Sequence, residues 1–446
     1  MRYIPHTENE IQRMLDAVGL SQLDELFDAI PQKQRLARPL DLRRAVSEQE
    51  LWGELKTLAA RNASTETHDC FLGAGVYPHF TPAVVDALTS RSEFTTAYTP
   101  YQPEISQGTL QTIFEWQTMI CGLTGCDVAN ASMYDGASAS AEAALMAMRA
   151  TRRSKVVVAA GLHPHYRDVL RTYLNGLRAE IVEAPLADDG RTAPLAEQVD
   201  GATACVILQQ PNFLGAIEDV RAAAEAASAC GAKLAVTVTE ALSLALLTPP
   251  GELGADIVCG EAQSFGVPMS LGGPHLGFMA TRQKLLRQLP GRLVGETVDT
   301  EGRRGYVLTL ATREQHIRRE KATSNICTNQ GLCLLMATIY LCLHGRRGLR
   351  ALAELNLAKA EYAKARVREN PALSLPLEAP TFNEFVVGVP DVAAALERAR
   401  ADRLLGGLDL APYAPDLGPA LLVCTTELVS REAIDRLVAA LAGDAS

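Results

Sequence analysis

The sequence lacks the features that mark several specialised classes of protein. Its ten cysteines include no CxxC pair, and the two nearest each other, Cys121 and Cys126, are spaced C-x4-C. That is not zinc spacing, so no metal site is expected. Ten cysteines are also too sparse for a disulfide scaffold, so free thiols in a reducing cytoplasm are expected. Positive charge is in deficit: Lys plus Arg is 42 against 52 for Asp plus Glu, a net charge of −10. A mainly nucleic-acid-binding or anionic-membrane role needs a basic footprint and is disfavoured. The longest apolar run, Leu332 to Leu343, contains Thr338 and falls well short of the ~20 residues that span a bilayer. It reads as a buried helix. The N-terminus, MRYIPHTENEIQRML, has no apolar segment after a basic start, so no secretory signal is read there. Neither an internal repeat nor a low-complexity segment stands out.

What remains is an ordinary globular composition, 48% hydrophobic and 21% charged over 446 residues. That excludes disorder and collagen-like chains. At roughly 100–200 residues per domain the length predicts two to four domains. Thr7 to Glu10 reads T-x-x-E, a capping box, and Ile11, Met14, Leu15 and Val18 follow at helical spacing. Residues 20–70 read as helical, with breaks at Pro31 and Pro39 and no strand signal, so residues 1–70 are expected to form a helical arm. Short apolar runs follow at Lys155–Ala160, Ala204–Gln209, Lys233–Thr239, Asp256–Gly260 and Leu276–Ala280, with helical stretches between them. Continuous apolar strands alternating with helices predict a mostly parallel sheet covered on both faces, an α/β domain over 71–330. Strand-like runs at Glu384–Val389 and Ala420–Cys424, flanked by helical stretches, predict a smaller α+β domain over 331–446.

Four segments carry candidate chemistry. Tyr134-Asp135-Gly136-Ala137-Ser138 opens a helix of small residues. Such an N-terminus offers free N–H groups and a positive dipole end to a phosphate, though it is also what a tight turn into a close-packed helix looks like. Thr96–Gly108, TAYTPYQPEISQG, crowds Tyr98, Tyr101, Gln102 and Glu104 around two prolines, either as a site-lining loop or as ordinary surface. Gly254–Gly277 runs from a strand into a loop where a pyridoxal-phosphate enzyme would present its Schiff-base lysine. No lysine lies between Lys233 and Lys284, and Gln263 stands in that place; Gln cannot form an imine. Gln263 is expected on the loop after the strand, facing a cleft. Glu240, 23 residues earlier, sits about where an acid partner for a pyridinium nitrogen would lie, or is an exposed strand-end carboxylate. Thr312–Thr328 is a basic patch followed by Lys321, Thr323, Ser324 and Asn325, either a solvated helix face or an anion-binding element. His79, His163 and His165 read as hydrogen-bonded structural residues.

Taken in order, these segments resemble the P-protein family of the glycine cleavage system. Within it they are similar to subunit 1, the α chain, of the two-subunit glycine dehydrogenase (decarboxylating). The resemblance runs from Tyr3-Ile4-Pro5-His6-Thr7 through Gly73–Tyr77, TAYTPYQPEISQGTLQ at 96–111, YDGASA at 134–139 and Gln210-Pro211-Asn212-Phe213. It continues through GADIV at 254–258, FGVP at 265–268, GGPH at 272–275, TREQHIRREKATSNICT at 312–328, Asn383-Glu384-Phe385 and Thr426-Glu427-Leu428. It implies an aminotransferase-like fold, fold type I of the pyridoxal-phosphate enzymes. It implies an α2β2 complex with subunit 2, which carries His-Lys-Thr-Phe where this chain has Ala262-Gln263-Ser264-Phe265. The implied reaction is decarboxylation of glycine on pyridoxal phosphate held by the β subunit, with transfer of the aminomethyl group to the lipoyl arm of H-protein. This chain would then complete the partner's pocket with Tyr98, Tyr101, Gln102, Glu104, Lys321, Thr323, Ser324 and Asn325. Asp135, Gly136, Ser138, Glu240 and Gln263 would mark a degenerate site of its own. Two other readings stay open. A self-sufficient aminotransferase or decarboxylase would need another lysine, such as Lys321, and would show a visible cofactor band. A bare scaffold would not need the polar density of the loop at 96–107.

Overall fold

The computed structural model describes residues 5–96 and 98–443; Tyr3, Ile4 and Ala97 of the motifs above lie outside them. The chain divides into two compact units between Ala63 and Ser64. In the first, the helix Glu8–Ala17 opens on the capping box: Thr7 N–H donates to Glu10 Oε2 at 2.7 Å and Glu10 N–H to Thr7 Oγ1 at 3.4 Å. Ser47 and Glu50 repeat the device at the helix Glu48–Ala59. The expectation of helix through residues 20–70 is corrected. Only two single 3₁₀ turns, Leu23–Phe27 and Gln32–Gln34, lie between the helices, and residues 35–46 have none. Pro31 and Pro39 fix φ and remove donors there.

The second unit is built on a seven-stranded sheet. A two-residue strand β1 (Asp69–Cys70) precedes it. The sheet comprises β2 (Val128–Ala129), β3 (Lys155–Ala159), β4 (Glu180–Ala184), β5 (Thr203–Gln209), β6 (Lys233–Val238), β7 (Ile257–Glu261) and β8 (Gly277–Thr281). Their order is β2-β8-β7-β6-β5-β3-β4. From β4 to β7 every pairing is parallel, while β8 runs antiparallel to β7 and β2 antiparallel to β8. The run at 276–280 thus closes the sheet rather than extending its parallel series. Strands β3, β5 and β7 are buried along their whole length because helices cover both faces. Trp116, Ile120 and Tyr340 pack on one face; Met146, Leu162 and Leu170 pack on the other. The antiparallel ribbon β9 (Leu293–Val298) and β10 (Arg304–Thr309) follows. One long helix, Gly331–Glu369, then contains the apolar run, broken at Gly345, whose backbone is non-helical with φ 56°. The last layer holds β11 (Glu384–Gly388), β12 (Leu404–Leu405), β13 (Leu408–Asp409) and β14 (Ala420–Cys424). In it β14 lies between β11 and β13, and the helices Val392–Ala401 and Arg431–Ala442 bury Ala395, Ile434 and Leu437.

Candidate functional site

Open parallel sheets bind ligands at the carboxyl ends of their strands. There the chain brings together His163 after β3, Gln209 ending β5, Glu240 after β6 and Gln263 after β7. The helix Gly136–Thr151 starts beside them. Its N-cap is Asp135, whose Oδ1 accepts from Ser138 N–H at 2.7 Å, so Asp135, Gly136 and Ser138 do form a helix-opening turn.

The groups that would meet a cofactor's imine carbon, ring nitrogen and ring face here are bonded to the chain itself. Gln263 is only 3% exposed. Its Oε1 accepts from Tyr77 N–H at 3.0 Å, and its Nε2 donates to Tyr77 O at 3.1 Å and Val267 O at 2.9 Å. The expectation that Gln263 faces a cleft is therefore corrected. It lies just after the strand, as expected, but its amide ties down the backbone of Tyr77. Gly136 N–H donates to Glu261 Oε2 at 3.1 Å, and Leu276 N–H to Glu261 Oε1 at 2.7 Å. Glu240 is buried, not an exposed strand end: Oε2 meets His79 Nε2 at 3.0 Å and Asn383 Nδ2 at 3.2 Å. The other nitrogen of His79 meets Glu427 Oε2 at 2.8 Å. Tyr77 Oη donates to Glu384 Oε2 at 2.7 Å, and Ala74 N–H to Glu384 Oε1 at 2.6 Å. His163 Nε2 meets Ala74 O at 2.8 Å, while its Nδ1 accepts from His165 N–H at 3.2 Å, which assigns the proton to Nε2.

The electrostatics follow from this pairing. Burial alone would lower the pKa of His79, but Glu240 and Glu427 outweigh it and raise it to about 10. Burial would raise Glu427; His79 and the Phe80 N–H instead hold it at about 2. His163 has no carboxylate beside it, and burial lowers it to about 4. Burial pushes Glu261 and Glu384 up to about 7, against the N–H donors that face them. Pyridoxal phosphate needs an amine for its imine, N–H groups free for its phosphate and an acid free for its ring nitrogen. Here the amine is an amide, Gly136 N–H serves Glu261, and Glu240 serves His79. The residues present do not fit the cofactor.

A second region lies on the surface. Tyr98 is 78% and Tyr101 47% exposed, with Gln102 and Glu104 exposed beside them. Buried Arg292 supports Tyr101 from below. Its Nη2 donates to Tyr101 Oη at 2.7 Å, its guanidinium lies 5.1 Å from the ring centre, and its Nη1 holds Cys327 O at 2.8 Å. The His316 ring approaches Tyr101 edge-on at 5.7 Å. Thr99 Oγ1 bonds Thr328 Oγ1 at 3.2 Å, joining the loop to the end of the basic segment. A cavity of about 200 Å³ opens between them, lined by Tyr98, Thr99, Ser132, Arg292 and Asn329. Ser324 donates to Glu142 Oε1 at 2.8 Å, Thr323 is held through its N–H to Arg313 O, and Lys321 and Asn325 are exposed. The basic segment is not one helix face: only Gln315–Arg318 and the turns on either side of it are helical.

Sequence reasoning missed Tyr77, Glu261, Glu384, Glu427 and Arg292. The available signal was charge in an apolar frame. Glu261 ends IVCGE and Glu384 opens EFVVG, both within buried strands. Buried carboxylates need partners: Glu384 finds them in Ala74 and Tyr77, and Glu261 in the N–H groups of Gly136 and Leu276.

The parallel sheet and its strand-end cleft define a pyridoxal-phosphate-dependent fold type I architecture. A glutamate decarboxylase from Lactobacillus brevis shares the fold at TM-score 0.69 and 12% identity, over 93% of this chain and 97% of that one. The glycine cleavage system P-protein family model matches residues 1–441, and the chain belongs to that family. It is 53% identical over 443 residues to a "Probable glycine dehydrogenase (decarboxylating) subunit 1" of Desulforamulus reducens, covering 99% of both chains. It is 55% identical over 446 residues to the protein of the same name in Anaeromyxobacter dehalogenans, covering 99% of this chain and 100% of that one. A crystal structure of glycine decarboxylase (P-protein) of the glycine cleavage system, in inhibitor-bound form, matches at TM-score 0.89 and 46% identity. That match covers 99% of this chain and 100% of the other.

Proposed function

We propose that this chain is subunit 1 of a two-subunit glycine decarboxylase and works in the cytoplasm as part of an α2β2 complex. Subunit 2 holds pyridoxal phosphate covalently, and the cofactor supplies the electron sink for decarboxylation of glycine. The aminomethyl group passes to the lipoyl arm of H-protein. This chain contributes binding and positioning groups from its surface loop to the partner's site: Tyr98, Tyr101, Gln102 and Glu104, with Lys321, Thr323, Ser324 and Asn325 alongside.

The observation that carries the reading is Gln263, an amide with its donors spent on backbone carbonyls in a chain of this family. Without an imine-forming group here, the covalent step falls to another subunit. The arrangement around Tyr101 supports the second half of the reading. Pro100 and Pro103 restrict the loop backbone, and Arg292 fixes Tyr101 by a hydrogen bond and by stacking, so little entropy is lost when a ligand arrives. Glycine–bicarbonate exchange, measured with each subunit alone and then combined, tests the proposal. Exchange is expected only in the mixture. Exchange by this chain alone would overturn it.

A further inference from the structure

The segment Gly73–Phe80 is bonded along its length by side chains that follow β3, β6 and β7 at the cofactor end of the sheet and by two carboxylates of the C-terminal layer. It meets Glu384 through Ala74 N–H and Tyr77 Oη, His163 through Ala74 O, Gln263 through both backbone groups of Tyr77, and Glu240 and Glu427 through His79. Tyr77, Gln263, Glu240, Glu261, Glu384 and His163 are all at least nine-tenths buried. Packing leaves little slack. A Cβ at Gly75 would lie 3.2 Å from the His163 ring, and one at Gly136 would lie 2.3 Å from Tyr166 Oη and 3.0 Å from Glu261 N. We propose that Gly73–Phe80 is a built-in plug that stands in for pyridoxal phosphate. His79 faces Glu240 in place of a pyridinium, Glu261 takes the N–H of Gly136 in place of a phosphate, and Ala74–Gly75 covers His163 in place of the ring.

The consequence goes beyond the missing lysine. Restoring an amine at position 263 does not restore a cofactor site, because the volume and the charges are already supplied by the chain. The protonated state of His79 over the physiological range suits this role, since a neutral ring could donate to only one of its two carboxylates.

The inference rests on the division of labour proposed above, and the test separates the two. Full-length chain, wild type and Gln263→Lys, is incubated with pyridoxal 5′-phosphate and reduced with borohydride, and adducts are mapped by peptide mass. The same is done on the complex with subunit 2. Both chains are expected to show no saturable adduct at position 263, no shift of thermal midpoint with added cofactor, and one cofactor per αβ pair in the complex. A stoichiometric adduct at position 263 of the Gln263→Lys chain overturns the plug, even if turnover still needs subunit 2. Should Gln263→Lys fail to fold, wild type decides alone: two cofactors per αβ pair, or a cofactor-dependent rise in its midpoint, overturns the plug.

Discussion

At the scale of residues, the buried titratable groups at the strand ends make stability depend on pH. Glu261 sits at about 7 in the folded chain against 4.5 for an ordinary glutamate. The folded state holds its proton more tightly, so its contribution is full below 4.5 and is lost as pH rises through 7. Between pH 5 and pH 8 that loss is about 2–3 kcal/mol, at ~1.4 kcal/mol for each tenfold difference in proton affinity. Glu261→Gln keeps a hydrogen-bonding group but cannot ionise. Its urea-unfolding free energy is expected to fall less than wild type's between pH 5 and pH 8 by that amount, and an equal fall in both would refute the assignment. His79 behaves likewise, fully contributing below 6.5 and losing its contribution through about 10. Removing it is harsher: His79→Ala leaves Glu240 and Glu427 buried without their shared cation, at a cost of roughly 3–5 kcal/mol. A thermal midpoint within a degree or two of wild type would show that the cluster is solvated in the protein. None of these partnerships was legible in the sequence beyond the bare residue types. Glu240 and Gln263 could be placed by their distance from apolar strands, but what faces them comes from residues 73–80, about 160–190 positions away. Local pattern carries no information over that separation.

At the scale of elements the sequence was far more transparent, because periodicity and capping are local. The core strands at 155, 203, 233, 257 and 277 were all legible as apolar runs, and the capping boxes Thr7–Glu10 and Ser47–Glu50 obey the S/T-x-x-E rule. Strand β4, with exposed Glu180 and Glu183, was hidden because an edge strand need not be continuously apolar. The antiparallel direction of β8 was hidden because direction depends on the path of the preceding loop, not on side-chain type. The loop at 98–107 shows the same limit. Its prolines and tyrosines were visible, but its support, Arg292, lies almost 200 residues on. That support makes a prediction. Tyr101→Phe removes the hydroxyl held by Arg292, and Arg292→Lys removes the fork that reaches both Tyr101 Oη and Cys327 O. In the reconstituted complex each is expected to leave assembly intact and to lower glycine–bicarbonate exchange on the order of 10²-fold, the usual cost of a lost positioning hydrogen bond. If the loop is only interface packing, the same changes weaken assembly and leave exchange per complex at the wild-type level.

At the scale of the whole molecule, apolar exposure is uneven. Nearly half of the exposed large apolar side chains among the described residues lie in the first 63 positions, including Phe27, Leu40, Leu42, Trp52 and Leu55. Leu15 is the one buried side chain described there. A chain of 446 residues has ample core elsewhere, so this unit does not need exposed leucines for its own folding; scattered single exposures are ordinary, whereas this density is not. The unit's two helices are capped for stability on their own terms, yet the stretch between them has almost no regular structure to satisfy its backbone internally. Both features suit a segment completed by another surface, and in the two-subunit enzyme proposed above the surface expected to complete it is subunit 2. Deleting residues 1–60 should therefore leave Ser64–Ser446 folded, since that unit holds the whole sheet, but prevent the full-size complex from forming. Far-ultraviolet circular dichroism of the truncated chain checks the first half, and gel filtration with subunit 2 checks the second. A truncated chain that folds and still elutes at the size of the intact complex would show that the arm's apolar residues are not an assembly surface.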